Sequence, residues 1–312
     1  VWGKSLSTQG ITITYDDEFK LKEWYEHYIN YKDDLYIHII IDNNSNNNFK
    51  SKLKDLFKES FIIERDTNGG CTGAYNDGIR KALSIPEVDS IMLIANDFKI
   101  NSGATKILYD TLFSNQKLGM IAPIWLKPNS NIIEDYGCNI STVLQMEEKY
   151  VGNKIEDVHK EINYCGAVAG GLNLSKREFY EKVGLQDEKL FMYSDEVDMG
   201  IRAKKNGYTI ASIKNAIVCH EHINKDSDRG RREPYTKYLS GRNKVYLAKK
   251  HFGALKVIYV FSFYFFGAFF KIITNTFKLN SSIVQDYLWM MLGSFMGFIG
   301  NMSSNRFSKP RE

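Results

Sequence analysis

Three carboxylates stand close together in the segment SDEVDMGIRAKKNGY, at Asp195, Glu196 and Asp198. Like charges repel and are costly to desolvate, so this cluster needs solvent, a helix N-terminus or a positive ligand beside it. The pattern predicts a helix that Ser194 caps, with acids in its first turn and lysines before Gly207. A structural role therefore explains the cluster. The alternative is that one carboxylate is a general base that takes the proton from a hydroxyl group.

The residues before this cluster predict a sheet that would position it. Apolar, β-branched runs at Gly10–Tyr15 and Leu35–Asn44 flank a helix-like segment, which is typical of a parallel strand pair with a crossover helix. The alternation continues through a strand in FIIERD, a helix in AYNDGIRKALS and a strand in SIMLIAND. The sequence therefore predicts the α/β class, with a doubly wound, mostly parallel sheet and helices on both faces.

Candidate binding residues fall at the ends of these strands. Ligands of such sheets bind outside the carboxyl ends of the strands. Asp42 ends the second strand, the turn TNGGCTGA follows the third, and Asp97 ends the fourth. Each has a structural alternative, because Asp42 is equally a turn former and Asp97 a capping residue. The small-residue run CGAVAGGLNL would allow a ligand or a neighbouring backbone to approach closely.

Composition narrows the class of protein. The 312 residues are 43% hydrophobic and 25% charged with a net charge of +4, which is typical of a globular chain. Twelve Lys and Arg residues but three acids lie between Lys225 and Lys278, which indicates contact with anionic lipid or an anionic substrate. We expect no nucleic-acid partner, because no such motif is present. Four scattered cysteines without a secretory leader predict reduced thiols in the cytoplasm.

The chain becomes strongly apolar after Gly253. Val257–Phe270 and Tyr287–Gly300 each run for fourteen residues without a charge. A straight membrane-spanning helix needs about 18 to 20 residues, so we expect two helices that lie on, or dip into, a membrane interface. The alternative is a buried helical hairpin or an oligomer interface.

Taken in order, these motifs resemble family 2 glycosyltransferases with the GT-A fold, in the rhamnosyltransferase-like branch that builds bacterial surface polysaccharides. The resemblance extends from about Gly10 to about Gly253. It rests on the strand ends ITITYDD and IIIDNNS, the turn NGGCTGAYNDG, the motif AND, the SDEVD helix start and the later GRN helix. It implies that the nucleotide-sugar donor is bound by Thr14, Tyr15, Asp16, Asp42, Asn68, Gly70, Asn76 and Asn96.

The resemblance also implies roles for the acids. Asp97 and His220 would hold a divalent metal, Mn²⁺ or Mg²⁺, although the first position of the metal motif is Ala95. Glu196 would be the base, with Asp195 as the second candidate, and direct attack on the donor would invert the anomeric centre.

The basic residues Lys225, Arg229, Arg231 and Arg232 lie close together in a predicted loop. This loop would be a mobile lid over a phosphate group, or else a plain solvated loop.

These expectations define a domain plan and partners. Residues 1–253 would form the catalytic domain, with the nucleotide-binding half at about 10–100 and the acceptor half at about 101–253. Residues 254–312 would associate with the cytoplasmic face of the membrane as a peripheral anchor, or form a homo-oligomer. The donor would be a UDP- or dTDP-sugar and the acceptor a glycan or a lipid-linked glycan. One alternative is a non-catalytic, membrane-bound assembly partner that binds nucleotide-sugar. Another is a sugar-nucleotide pyrophosphorylase, although the sequence lacks the Gly-rich N-terminal loop of those enzymes.

Overall fold

The structure is a computed structural model that describes residues 7–221, 233–278 and 280–303. Its strands are β1 (Thr8–Thr14), β2 (Ile37–Asp42), β3 (Phe61–Glu64), β4 (Ser90–Ile94), β5 (Phe98–Ile100), β6 (Leu118–Leu126), β7 (Ile133–Asp135), β8 (Cys138–Ile140), β9 (Met146–Glu148), β10 (Ile162–Cys165), β11 (Leu172–Lys176) and β12 (Thr209–His220). Its α-helices are α1 (Leu21–Ile29), α2 (Asn47–Leu56), α3 (Gly70–Leu83), α4 (Ala104–Ser114), α5 (Arg177–Val183), α6 (Asp195–Lys205), α7 (Glu233–His251), α8 (Ala254–Thr276) and α9 (Ser281–Ile299).

The main sheet is mixed and mostly parallel, which confirms the predicted fold class. Its strand order is β10-β12-β6-β11-β4-β1-β2-β3, with β5 paired to β12 and β7 paired to β6. The first four strands in the sequence run parallel to one another, whereas β11 lies antiparallel between β4 and β6. Thr14 pairs with Asp42, and Asp42 pairs with Glu64, so these strand ends lie side by side at one edge.

Both faces of this sheet are covered by packed side chains. This burial explains why the sequence of β2 is largely apolar. Successive side chains of a strand point to opposite faces. Ile40 accordingly packs in the cluster that contains Trp24 and Phe57 on one face, while Ile39 and Ile41 pack in the cluster on the other. A parallel sheet buried on both faces reads as a continuous apolar run, and the segment IHIIID has that character.

The segment after Leu126, for which the sequence shows no regular pattern, forms four short strands. The hairpin β8–β9 is a separate two-stranded sheet, while β7 and β10 extend the main sheet beside β6 and β12. These strands are three or four residues long. Alternation over so few residues carries almost no periodic signal, which is why the sequence pattern missed them.

The C-terminal segment forms the two predicted helices, but the first is longer than its uncharged run. Helix α8 has 23 residues, because it continues through Lys256 and Lys271 at its ends. By length and composition it is the one helix of the described residues that could cross a membrane. The prediction that both helices are too short to span is therefore wrong for α8.

Helices α7 and α9 are joined by close backbone contacts. A Cβ atom added at Gly293 would lie 2.0 Å from the carbonyl oxygen of Tyr238, and one at Gly297 would lie 2.4 Å from that of Arg242. Glycine at these two positions therefore allows α9 to lie against the backbone of α7. On α8, by contrast, a Cβ atom at Gly267 would meet nothing within 4 Å.

These contacts predict opposite effects for two glycine-to-alanine substitutions in neighbouring helices. Gly293→Ala should destabilise the protein by about 1–3 kcal/mol, because the methyl group forces the helices apart. Gly267→Ala should stabilise it by about 0.5–1 kcal/mol through helix propensity alone. Urea denaturation in mild detergent, followed by circular dichroism, measures both changes. Equal effects of the two substitutions would contradict the close packing of α7 on α9.

Candidate active site

The loops that follow β1 and β2 are tied together by predicted donor-binding residues. Asp16, at φ 50°, accepts hydrogen bonds from the backbone and side-chain nitrogens of Asn46 at 2.8 and 2.7 Å. The backbone nitrogen of Asp16 donates to the Ser45 hydroxyl at 2.9 Å, and the backbone nitrogen of Ser45 donates to the Asp42 carboxylate. Burial raises the pKa of Asp42, although its hydrogen bonds with Ser45 oppose this. Asp42 is fully buried, so in this structure it supports the loops.

The glycine-rich turn before α3 uses its asparagines in the same way. Asn68 accepts from the side chain of Asn43 and from the backbone nitrogen of Gly70, both at 2.9 Å. Asn76 is buried and exchanges two hydrogen bonds with the backbone of Gln186, so it connects α3 to the segment before α6. The predicted donor-binding role of these residues remains a prediction. Their observed contacts shape the backbone around the edge of the sheet.

The Asn96-Asp97 pair at the end of β4 is joined to the loop after β1. The Asn96 side-chain amide nitrogen donates to Asp17 at 2.8 Å, while Lys20 lies 3.1 Å from Asp97 and 3.4 Å from the side-chain oxygen of Asn96. The sequence interpretation missed Asp17 and Lys20. Asp17 adjoins the TYD motif and could have been suspected, whereas Lys20 lies in an otherwise ordinary helix start and gave no signal.

Asp97 and His220, the two predicted metal ligands, do lie together. The Nε2 atom of His220 is 3.5 Å from Asp97 Oδ1, and its Nδ1 atom is 2.7 Å from Glu134. The imidazole stacks on Phe98 with ring centroids 4.6 Å apart. Glu134 was also missed, because it lies in the short strand β7, where the sequence shows no regular pattern.

Electrostatics at this pair favour opposite charges. Burial opposes ionisation of Asp97, but hydrogen bonds and charge from His220 and Lys20 outweigh it and hold the pKa at about 2. Burial likewise disfavours the protonated form of His220, but Asp97 and Glu134 raise its pKa to about 9. Asp97 therefore carries a full negative charge that two cationic groups balance.

Asp97 could hold a hard divalent cation that a substrate helps to bind, and His220 could join it as a ligand only after losing its proton. Among the described residues, no group of three His, Cys, Asp or Glu side chains could hold a metal. Magnesium-type sites commonly use one or two carboxylates and complete their coordination with phosphate oxygens and water. Asp97 and His220 would be the protein ligands in such a site.

The three acids at the start of α6 differ in their surroundings: the pKa values of Asp195 and Glu196 are raised, whereas that of Asp198 is lowered. Helix α6 begins at Asp195, as predicted, but Ser194 has φ 65° and makes no side-chain capping bond, so the predicted cap is wrong. Asp195 is buried, and Glu196 is half-buried. Burial raises the pKa of both groups, and that of Asp195 is further raised by the charge of Glu196. A hydrogen bond between the side chains favours protonated Asp195 and charged Glu196.

Asp198 differs from these two acids, because three basic side chains surround it. It lies 2.8 Å from Arg202, 2.8 Å from Lys250 and 2.6 Å from His251. Burial opposes its ionisation, but these partners lower its pKa to about 2. Asp198 therefore anchors α6 to the end of α7, and it has no open side toward a substrate.

The small-residue run before β11 allows α6 to approach the sheet, as predicted. A Cβ atom at Gly170 would lie 2.9 Å from Glu196 Oε1, and one at Gly200 would lie 2.1 Å from the carbonyl oxygen of Gly166. Asp135 lies buried nearby, and burial together with Glu148, Glu134 and Glu196 raises its pKa to about 7. The Glu196 carboxylate thus lies against a backbone with no side chain over it. The Lys225 to Arg232 lid lies outside the described residues.

Residues 11–117 match the family model described as Glycosyl transferase family 2. The chain is 24% identical over 211 residues to the low-salt glycan biosynthesis hexosyltransferase Agl10 of Haloferax volcanii, which covers 66% of this chain and 65% of that protein. It is 24% identical over 183 residues to the N-acetylglucosaminyl-diphospho-decaprenol L-rhamnosyltransferase of Mycobacterium tuberculosis, which covers 54% and 58% of the two chains. The chain thus spans less than two thirds of the length of either relative.

A solved structure shows the same fold over nearly the whole chain. It is the mannosyltransferase PcManGT of Pyrobaculum calidifontis, in complex with GDP-Man and Mn²⁺. Its TM-score is 0.57 at 10% identity, and the match covers 95% of this chain and 88% of that one. The predicted GT-A architecture is therefore confirmed.

Proposed function

We propose that this chain, which carries a glycosyltransferase family 2 domain on a GT-A fold, is an inverting glycosyltransferase. It would move a hexosyl or deoxyhexosyl group from a UDP- or dTDP-sugar to a hydroxyl group of a surface-polysaccharide acceptor. The carrying observation is the position of Glu196 at the start of α6, where its half-buried carboxylate lies over the bare backbone of Gly170. Burial raises the pKa of this carboxylate, which strengthens it as a proton acceptor for a general-base role.

The reaction uses this carboxylate directly. Glu196 would accept the proton of the acceptor hydroxyl while that oxygen bonds to the anomeric carbon and the nucleoside diphosphate leaves from the opposite face. Protonated Asp195 would hold Glu196 in place through the hydrogen bond between them. Gly170 leaves room for the acceptor, because any larger residue there would meet the base.

The leaving group needs positive charge at the other side of the site. A divalent cation, Mn²⁺ or Mg²⁺, neutralises charge on a departing diphosphate when it is bound. Asp97 and His220 would hold that cation, and Lys20 would add a further positive charge beside it. The Mn²⁺ in the mannosyltransferase structure supports this assignment.

The acceptor is proposed to be attached to a lipid. The mycobacterial relative is named for a diphospho-decaprenol substrate. In this chain, exposed apolar side chains cover α8 and continue on α9, including Leu255, Ile258, Phe263, Phe266, Phe270, Leu288 and Phe295. Such a patch on a soluble surface marks a membrane or protein contact. We place the helices at the cytoplasmic face of the membrane, where the nucleotide-sugar would be available.

Substitution of the base should separate turnover from binding. Glu196→Gln should bind donor as the unsubstituted protein does, yet lose turnover by roughly 10²- to 10⁴-fold, because the amide cannot take up a proton. Purified protein, Mn²⁺, a panel of UDP-, dTDP- and GDP-sugars and a lipid-linked acceptor extract would be assayed for released nucleotide.

Asp135→Asn is the matched control for this experiment, because it removes a nearby acid that is not in the proposed mechanism. Full activity of Glu196→Gln would exclude Glu196 and point to Asp195. Donor binding without release in every mixture would favour a non-catalytic, nucleotide-sugar-binding assembly partner.

The metal assignment predicts a loss of metal-dependent binding. Asp97→Ala should weaken donor binding in Mn²⁺ by about tenfold or more, and chelator should no longer change the affinity. Lys20→Met is the comparison variant: it removes a positive charge beside the diphosphate and should weaken binding, but its affinity should still respond to chelator because both metal ligands remain. Isothermal titration with UDP in Mn²⁺ and in chelator measures the effect. An unchanged response to chelator in Asp97→Ala would contradict the assignment.

The membrane proposal predicts lipid binding through the exposed face of α8. Full-length protein should float with vesicles, more strongly when they contain anionic phospholipid, and Phe263→Glu with Phe270→Glu should abolish flotation. Phe113→Glu on α4 is the control, because Phe113 is also exposed but lies outside helices α8 and α9. A detergent-free oligomer that does not float would instead show that the face is an oligomer interface.

A further inference from the structure

Two buried side chains of α7 donate five hydrogen bonds to the loop that leads into α6 and two more to the backbone beyond α9. The Asn243 amide nitrogen donates to the carbonyl oxygens of Leu190, Met192 and Tyr193 at 3.1, 2.9 and 2.8 Å. Arg242 donates to the carbonyl oxygens of Lys189 and Leu190 at 3.3 and 2.9 Å, and to those of Met302 and Ser303 at 3.2 and 3.3 Å. Both side chains are fully buried.

We infer that Arg242 and Asn243 are positioning residues that hold the loop 188–194 in the conformation that aims Glu196. We call these two side chains and their loop carbonyl acceptors the α7 clamp. The sequence singled out a GRN helix, but assigned it no role. The kinetic part of this inference rests on the proposed function, whereas the structural part does not.

The loop has a backbone that needs such support. Phe191, Tyr193 and Ser194 all have φ of 65°, although none is glycine. Left-handed conformations are unfavourable for residues with a side chain, and they persist only where the surroundings fix them. Three within four residues, directly before the proposed base, mark a loop whose shape is imposed from outside.

The orientation of the Asn243 amide is itself fixed. The Nε atom of Arg242 donates to the Asn243 side-chain oxygen at 2.9 Å, so the amide nitrogen must face the loop carbonyls. Every described acceptor of these donors is a carbonyl or amide oxygen. The clamp therefore recognises backbone shape, and it would hold any sequence at 189–193 that can adopt this conformation.

The loop in turn touches both halves of the site. The Phe191 carbonyl oxygen accepts from the backbone nitrogen of Thr72 at 3.3 Å, and a Cβ atom at Gly70 would lie 2.1 Å from it. The Ser194 carbonyl oxygen accepts from the backbone nitrogen of Asp198 in the first turn of α6. Movement of the loop would therefore shift the start of α6 relative to the donor-side turn.

An isosteric substitution tests the clamp. Asn243→Asp keeps the shape but turns the donors that face three carbonyls into acceptors. We expect hydrogen exchange in peptides covering 188–199 to rise by about tenfold or more, while peptides from β1, β2 and β4 keep their protection. We also expect kcat to fall by about a hundredfold while KM for the donor changes by less than about threefold, because the base is displaced and the nucleotide site is not.

Gly293→Ala is the matched control, because it loosens α7 against α9 without removing a clamp hydrogen bond. If Asn243→Asp does not fold, Arg242→Lys can replace it, because lysine keeps the positive charge but lacks the Nε donor. We then expect a smaller rise in hydrogen exchange in 188–199 and a smaller fall in kcat. Unchanged exchange in 188–199, or a loss of kcat no greater than in Gly293→Ala, would overturn the inference. An unsubstituted protein without turnover would refute the proposed function, while the exchange measurement would still decide the clamp.

Discussion

Negative charge crowded at one edge of a sheet is the constraint that organises this molecule. Parallel strands bring their carboxyl ends together, and the loops that follow them carry acids in nearly every case. Some of these acids are neutralised by fixed cations, as Asp97 is by Lys20 and His220, and Asp198 is by Arg202 and Lys250. The pKa values of Asp97 and Asp198 are lowered, so both carboxylates are held in the charged form. The pKa values of Asp195, Glu196 and Asp135 are raised, because burial and neighbouring acids disfavour their charged forms.

Helix α7 supplies Lys250, one of the cations that neutralise Asp198. Its residues Asn243, Tyr246 and Lys250 follow one another at helical spacing and face the segment that precedes and begins α6. Tyr246 and Lys250 both contact Asp187, at 2.8 and 2.7 Å, and Lys250 also reaches Asp198. The same helix lies against α9 on another side, through Gly293 and Gly297. Helix α7 therefore contacts both the acids near the start of α6 and the apolar helix α9.

Much of the framework could be predicted from the sequence, because β-branched runs and helical spacing are local signals. Asp97 and His220 were paired by resemblance to a family, and the structure places them 3.5 Å apart. Lys20, Glu134 and the Arg242–Asn243 contacts could not be found this way, since each depends on a partner far along the chain. The Ser194 cap failed because a positive φ turns its side chain away from capping geometry, and no local pattern reveals such a backbone.

The way α9 lies on α7 has a practical consequence for preparing the protein. A boundary after Gly253 looks natural in the sequence, because the composition changes there. Cutting at that point would nevertheless remove the two carbonyl groups beyond α9 that accept from Arg242, and would open the buried glycine contacts of α7 to water. A shortened chain would then expose a guanidinium that is fully buried in the whole protein. Work on this protein therefore calls for a chain that keeps α8 and α9 and treats these two helices as part of the folded unit.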